Sequence, residues 1–373
     1  MMRWIACALL LVSANTLLAH PGHKHAKGER IVMINENFAE EQKTDGQGDW
    51  VFKYRSDLST VPVEERFLLA AHGGFATDPA TNITYFGLPG TGVIQISPDL
   101  TSMKVIGGDT GLFNPQGELW NYHNTCIVDH AGTKYLGLAG NNSGRVWVVG
   151  LDGKIHNTFT APPEGNGQGA TDLVQIPKSG NLKITYGYGD NFIYEASPFA
   201  GDLNQGVWNP GRFGGKGPRE KTGVFNTPHG IALFPGGERI AIADRGYGRV
   251  QITNLEGVVE TVWDLKRDDG KWPLPCDVNF SPDGTLAVVG NLDDANGKPA
   301  NFLIVDTKTG KTLSSVTPAT LGVPNSRHIH NTTFRYVDIG DGKTEVYVLC
   351  LFWNPGGYGV FQKVQPWHKP ATT

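Results

Sequence analysis

The stretch PHGIALFPGGERIAIADRGYGRVQITNLEG, residues 228–257, decides the fold. An apolar run opens it, the polar turn FPGGE interrupts, a second apolar run follows, and a Gly-rich loop leads into a third. Short β-branched runs bounded by Gly, Pro and Asp read as antiparallel strands joined by turns, not as helix. Working outward from it, the same pattern recurs five more times. It appears as AHGGFATDPATNITYFGLPGTGVIQIS from Ala71, YHNTCIVDHAGTKYLGLAGNNSGRVWVVGLDG from Tyr122 and ATDLVQIPKSGNLKITYGYGDNFIYEAS from Ala170. The last two units are PCDVNFSPDGTLAVVGNLDDANGKPANFLIVDTKTG from Pro275 and IHNTTFRYVDIGDGKTEVYVLCLFWNPGGYGVFQKV from Ile329.

The equivalent opening positions are His72, His123, Thr171, His229, Cys276 and His330. They lie roughly 47 to 58 residues apart, the repeat length of a propeller blade. The expected architecture is therefore all-β, a six-bladed β-propeller over residues 31–367. Few strands remain after Val364, so an N-terminal strand such as RIVMINENF or WVFKYRS is expected to complete the last blade and leave no open edge.

Composition agrees: 49 glycines and 23 prolines in 373 residues favour many short strands and turns. The net charge of −4 gives no reason to expect nucleic acid or an anionic membrane as partner. The opening MMRWIACALLLVSANTLLAH reads as a secretory signal peptide over residues 1–19, its apolar run too short to span a bilayer. A secreted or periplasmic protein is expected, acting as a monomer on a small-molecule or peptide-like substrate. Residues 20–30 are expected to be a flexible, His-rich tail, whose His20, His23 and His25 could hold metal loosely. Cys126, Cys276 and Cys350 are an odd set that allows at most one internal disulfide.

In a propeller the first strand of each blade lines a central channel, so the opening positions form a ring. His123, His229 and His330 fall in units two, four and six and alternate around it. Three imidazoles about 120° apart suit a metal that keeps an open coordination position. His72 in unit one could be a fourth ligand or stand behind the ligands. Cys276 on the same ring is either a soft ligand or a small buried residue.

The fourth unit, TPHGIALFPGGERIAIADRGYGRVQI, resembles an NHL-type blade. The order of motifs resembles the catalytic core of the peptidyl-α-hydroxyglycine α-amidating lyase family. That resemblance implies a zinc held by three histidines at the starts of alternate blades, here His123, His229 and His330. It implies a catalytic tyrosine in YGYGDN, Tyr188, and an arginine in ADRGYGRVQ, Arg245. The activity implied is cleavage of an α-hydroxyglycine-type N–C bond, with copper or iron as alternatives to zinc and a structural calcium besides. The sequence departs from that family in three places. ITYFGLPG lacks a second arginine, Asn331 stands where the family has a calcium-binding carboxylate, and the family's disulfide cysteines are unmatched. Two other functions are compatible with the fold: a lactonase- or esterase-like hydrolase with a channel metal, and a non-catalytic NHL-like binding module.

GNGQGATD lacks the strand-to-helix context of a dinucleotide site. Asp293, Asp294 and Asn296 in NLDDANGKP are either a calcium loop or a solvated turn. WNPGRFGGKGPREKTG, residues 208–223, is either a lid over one channel mouth or a surface loop.

Overall fold

Each repeat folds into its own small antiparallel sheet. A computed structural model describes residues 43–107, 121–165, 169–200, 206–293, 299–323 and 326–368. Five blades carry four strands in chain order. Blade one runs Phe75–Thr77, Thr84–Leu88, Gly92–Ile96 and Met103–Ile106. Blade two runs Tyr122–His130, Thr133–Gly140, Val146–Gly150 and Ile155–Phe159. Blade three is Asp172–Gln175, Leu182–Thr185, Phe192–Ser197 and Val207–Gly214. Blade four is Pro228–Leu233, Arg239–Asp244, Arg249–Asn254 and Val259–Asp264. Blade five is Leu274–Phe280, Leu286–Leu292, Phe302–Asp306 and Thr312–Val316.

Blade six closes the ring. Its inner strands Ile329–Gly340, Lys343–Phe352 and Gly357–Lys363 come from the C-terminal end, and Trp50–Tyr54 and Thr44–Gln47 from the N-terminal end. The junction is the pairing of Phe52 with Lys363 and of Tyr54 with Phe361. Of the two candidate closing strands, WVFKYRS supplies this one; RIVMINENF lies outside the described residues, as do the signal-like segment and the His-rich tail.

The core is divided among the gaps between blades. Six apolar clusters each take residues from two neighbours; Val278, Val289 and Val305 of blade five pack on Ala241, Val250 and Ile252 of blade four. Middle strands are therefore apolar on both faces, as in the wholly buried Val146–Gly150, and their sequences are continuous rather than alternating. Each fully buried Val, Leu, Ile or Phe contributes about 1.5–3 kcal/mol relative to exposure.

The innermost strand of a blade pairs on one side only, so its other edge must find donors and acceptors in the channel. Side chains of the adjacent blade supply them. Asp172 accepts the Ile231 amide at 2.6 Å and Asp277 accepts that of Thr332 at 2.8 Å; Thr125 Oγ1 of blade two also accepts the Gly87 amide, in the second strand of blade one, at 3.1 Å.

Residues 208–223 are fixed to two blades rather than forming a loose surface loop. Their first part belongs to the outer strand Val207–Gly214 of blade three. The remainder is tied to blade four by Arg249, whose guanidinium donates to the carbonyls of Arg219, Lys221 and Val224 and pairs with the buried Asp244 at 2.8 Å.

Candidate metal and proton-transfer centre

The ring positions converge. His72, His123, His229 and His330 are all buried, at 0–1% exposure. Ring centroids are 4.3 Å apart for His72 and His123, 3.9 Å for His72 and His330, and 4.4 Å for His123 and His330. His229 sits 4.6 Å from His123 and 4.7 Å from His330. One ring nitrogen from each of His72, His123 and His330 lies within 4.8 Å of the other two, a group that could hold a metal ion.

What orients the rings is the bond made by the other nitrogen. His72 Nδ1 donates to Asn121 Oδ1 at 2.6 Å, His123 Nδ1 to the Thr171 carbonyl at 2.5 Å and His229 Nδ1 to the Cys276 carbonyl at 2.7 Å. A proton held on Nδ1 leaves the lone pair on Nε2, the arrangement by which an acceptor behind an imidazole prepares it to ligate. His330 differs. Its Nδ1 meets the Asn331 amide at 2.9 Å, and that amide satisfies its surroundings with its nitrogen toward the His72 carbonyl at 2.9 Å. In this orientation His330 accepts at Nδ1 and carries its proton on Nε2, so ligation by Nε2 needs the amide to turn.

His72 stacks on Trp353 with centroids 4.1 Å apart and planes at 17°. Burial pulls its pKa down to about 3, so it is neutral at ordinary pH.

Blades three and four contribute the other half of the centre. Tyr188, in the loop after the second strand of blade three, has its hydroxyl 2.7 Å from His229 Nε2 and 3.2 Å from His123 Nε2. Arg245, at the end of the second strand of blade four, donates to the same oxygen at 2.9 Å. Because His229 Nε2 has the lone pair, Tyr188 donates to it and accepts from Arg245. Burial pushes the Tyr188 hydroxyl well up, and the charge of Arg245 offsets part of that. Arg245 is buried, and among the described residues no carboxylate forms an ion pair with it. Cys276 hydrogen-bonds Arg245, and burial pushes its thiol up to about 12, so it is a neutral wall of the site. Gly230, next to His229, lets blade five approach: a Cβ there would meet the Asp277 Cα at 2.7 Å and the Cys276 carbonyl at 2.8 Å.

All six residues singled out in the sequence are thus brought together around one axis: His72, His123, His229, His330, Tyr188 and Arg245. Asn121 and Trp353, which hold His72, carried no sequence signal, because neither falls at a repeat-equivalent opening position. Clustered neutral imidazoles fit a borderline transition metal such as zinc, copper or iron. For calcium the channel offers less, since Asp172 and Asp277 each direct both oxygens at backbone N–H groups. Asp293, the described one of the three candidate calcium ligands in NLDDANGKP, pairs with Arg327 and His328.

No protein-family model matches the chain. Among curated proteins it is similar to the peptidylglycine alpha-amidating monooxygenase of Rattus norvegicus and to the peptidyl-glycine alpha-amidating monooxygenase of Mus musculus. Each is 24% identical over 228 residues, covering 56% of this chain and 22% of the relative. The match thus spans about a fifth of those relatives' length. Among solved structures it is similar to a luciferin-regenerating enzyme, with a TM-score of 0.52 and 13% identity over 86% of this chain and 97% of that one. That likeness is one of fold, and the neighbour is likewise a propeller.

Proposed function

We propose that the protein is an exported, metal-dependent carbon–nitrogen lyase acting on a substrate that ends in an α-hydroxyglycine-type group. The observation that carries this reading is the Tyr188 hydroxyl held between His229 Nε2 and Arg245 at the edge of a histidine cluster. The resemblance of the motifs to the amidating lyase family, and the similarity to amidating monooxygenases over part of their length, supply the substrate class. Export rests on the signal-like N-terminus alone.

The central histidines would hold zinc, or else copper or iron, and the bound metal supplies a Lewis acid for an oxygen of the substrate. The chain's own residues do the rest. Arg245, buried without an ionic partner among the described residues, attracts and orients the substrate carboxylate. Tyr188 takes the proton of the substrate hydroxyl while its own proton passes to His229 Nε2. As the C–O bond gains carbonyl character the N–C bond breaks, and the same proton returns through Tyr188 to the departing amide nitrogen. Proton and electron count balance, giving a primary amide and an aldehyde acid.

Metal analysis and turnover of a hydroxyglycine-ended peptide test the proposal. One metal per chain and metal-dependent release of glyoxylate are expected. Tyr188→Phe should lower kcat by about 10²–10⁴-fold, the usual worth of a positioned acid–base group, with metal content unchanged. A metal-free protein, or a metal-loaded one that releases no glyoxylate, would sink the assignment.

A further inference from the structure

Alternation around the ring points to His123, His229 and His330 as ligands, yet the distances select a different set. We infer that the metal is held by His72, His123 and His330, from the adjacent blades six, one and two, and that His229 serves Tyr188 instead.

Three observations carry this. The nitrogens mutually within 4.8 Å belong to His72, His123 and His330. The Nε2 of His229 faces the Tyr188 hydroxyl at 2.7 Å, and Arg245 holds that hydroxyl from its other side. His72 is held as a ligand should be: Asn121 takes its Nδ1 proton at 2.6 Å, and Trp353 stacks on its face. A partner that fixes the tautomer and a wall that fixes the ring plane are what outer groups contribute at metal sites. His229 also has a fixed tautomer, through the Cys276 carbonyl, but Tyr188 holds its Nε2 at 2.7 Å, closer than the 3.2 Å from Tyr188 to His123 Nε2.

The consequence is an asymmetric centre. The three histidines that would hold the metal come from blades six, one and two, and Tyr188, His229 and Arg245 come from blades three and four. A substrate oxygen entering between the two groups would meet metal and proton acceptor together. In the alternating set, His229 Nε2 would be taken by the metal, and the Tyr188 hydroxyl would lose its shorter bond to an imidazole.

This inference rests on the proposed metal dependence, and the test separates the two. Wild type, His72→Ala and His229→Ala are loaded with zinc, and with cobalt(II) for its visible spectrum. Affinity is measured by competition with a chromophoric chelator, and folding is checked by circular dichroism and urea midpoint. His72→Ala should lose more than the ~10–100-fold that removal of an outer-shell partner costs, because a ligand itself is gone. Added imidazole should restore its metal binding, which a misfolded chain would not allow. His229→Ala should keep one metal per chain and the wild-type cobalt spectrum. Retention by His72→Ala with loss in His229→Ala overturns the inference in favour of the alternating set, and equal loss in both also overturns it. A wild type that takes up no metal removes the proposed function as well.

Discussion

Asp172 and Asp277 follow the ring positions Thr171 and Cys276, and each clamps the inner strand of the next blade through a backbone amide. Loss of hydration is the main cause that raises both carboxyls above the ordinary range, and for Asp172 the charge of Asp277 adds to it. The native chain therefore holds protons at pH values where the unfolded chain, with carboxyls near ~4, has released them. More protons bound in the native state means that stability falls with rising pH. The contribution is full below the unfolded pKa and is lost as pH passes through the raised native values. Asp277→Asn removes one of the two titrations while keeping an acceptor for the Thr332 amide. Urea midpoints should show the variant improving relative to wild type between about pH 5 and pH 8; a gap that stays constant would mean that Asp277 ionises normally. The thiols make a second residue-scale prediction. Burial pushes Cys126, Cys276 and Cys350 up, and all three are unpaired. Peptide-mapped labelling with Ellman's reagent should find none of them reactive in the folded protein and all three reactive in denaturant.

The strands that line the channel and those behind them were legible in the sequence because both faces are buried, and turns such as FPGGE and SPDGT punctuate them. The outermost strands were not. Met103–Ile106 and Thr312–Val316 are largely half-buried or exposed, so they carry no continuous apolar run to read. Val207–Gly214 is so polar that it read as part of a loop. The histidines were legible because repeat register places them on one ring, but register suggested alternation. The nitrogen distances, and the shorter bond from Tyr188 to His229 than to His123, are what separate His229 from the other three. At the same scale, Arg335 ties the inner strand of blade six to blade one: its guanidinium reaches Thr84 Oγ1, the Asn82 carbonyl at 2.6 Å and the Pro98 carbonyl at 2.9 Å. It is 1% exposed, and burial pulls it down to about 10. Arg335→Met keeps much of the volume but strands those acceptors, so a loss of about 2–4 kcal/mol in urea unfolding is expected. A loss under ~0.5 kcal/mol would show that water replaces the guanidinium without cost.

For the molecule as a whole, strand ladders among the described residues stay within blades, apart from the isolated bridge between Leu292 and His328. What joins one blade to the next is mainly side-chain packing and the side-chain clamps on inner strands, with a few backbone bonds such as Gly169 N–H to the Asn141 carbonyl. A metal on His72, His123 and His330 would add a link among blades six, one and two, the region where the N-terminal strand Trp50–Tyr54 closes the ring. An ion that binds only the native state stabilises it by about 2.7 kcal/mol at a free concentration 100 times its Kd. Because its ligands come from three separate sheets, that stabilisation should be felt by the whole ring and not by one loop. Calorimetry with zinc and then with a chelator should show a single transition that moves up and returns, and His72→Ala should lose the shift. If zinc moved only an early partial transition, its ligands would belong to a locally unfolding segment rather than to the axis that all six blades share.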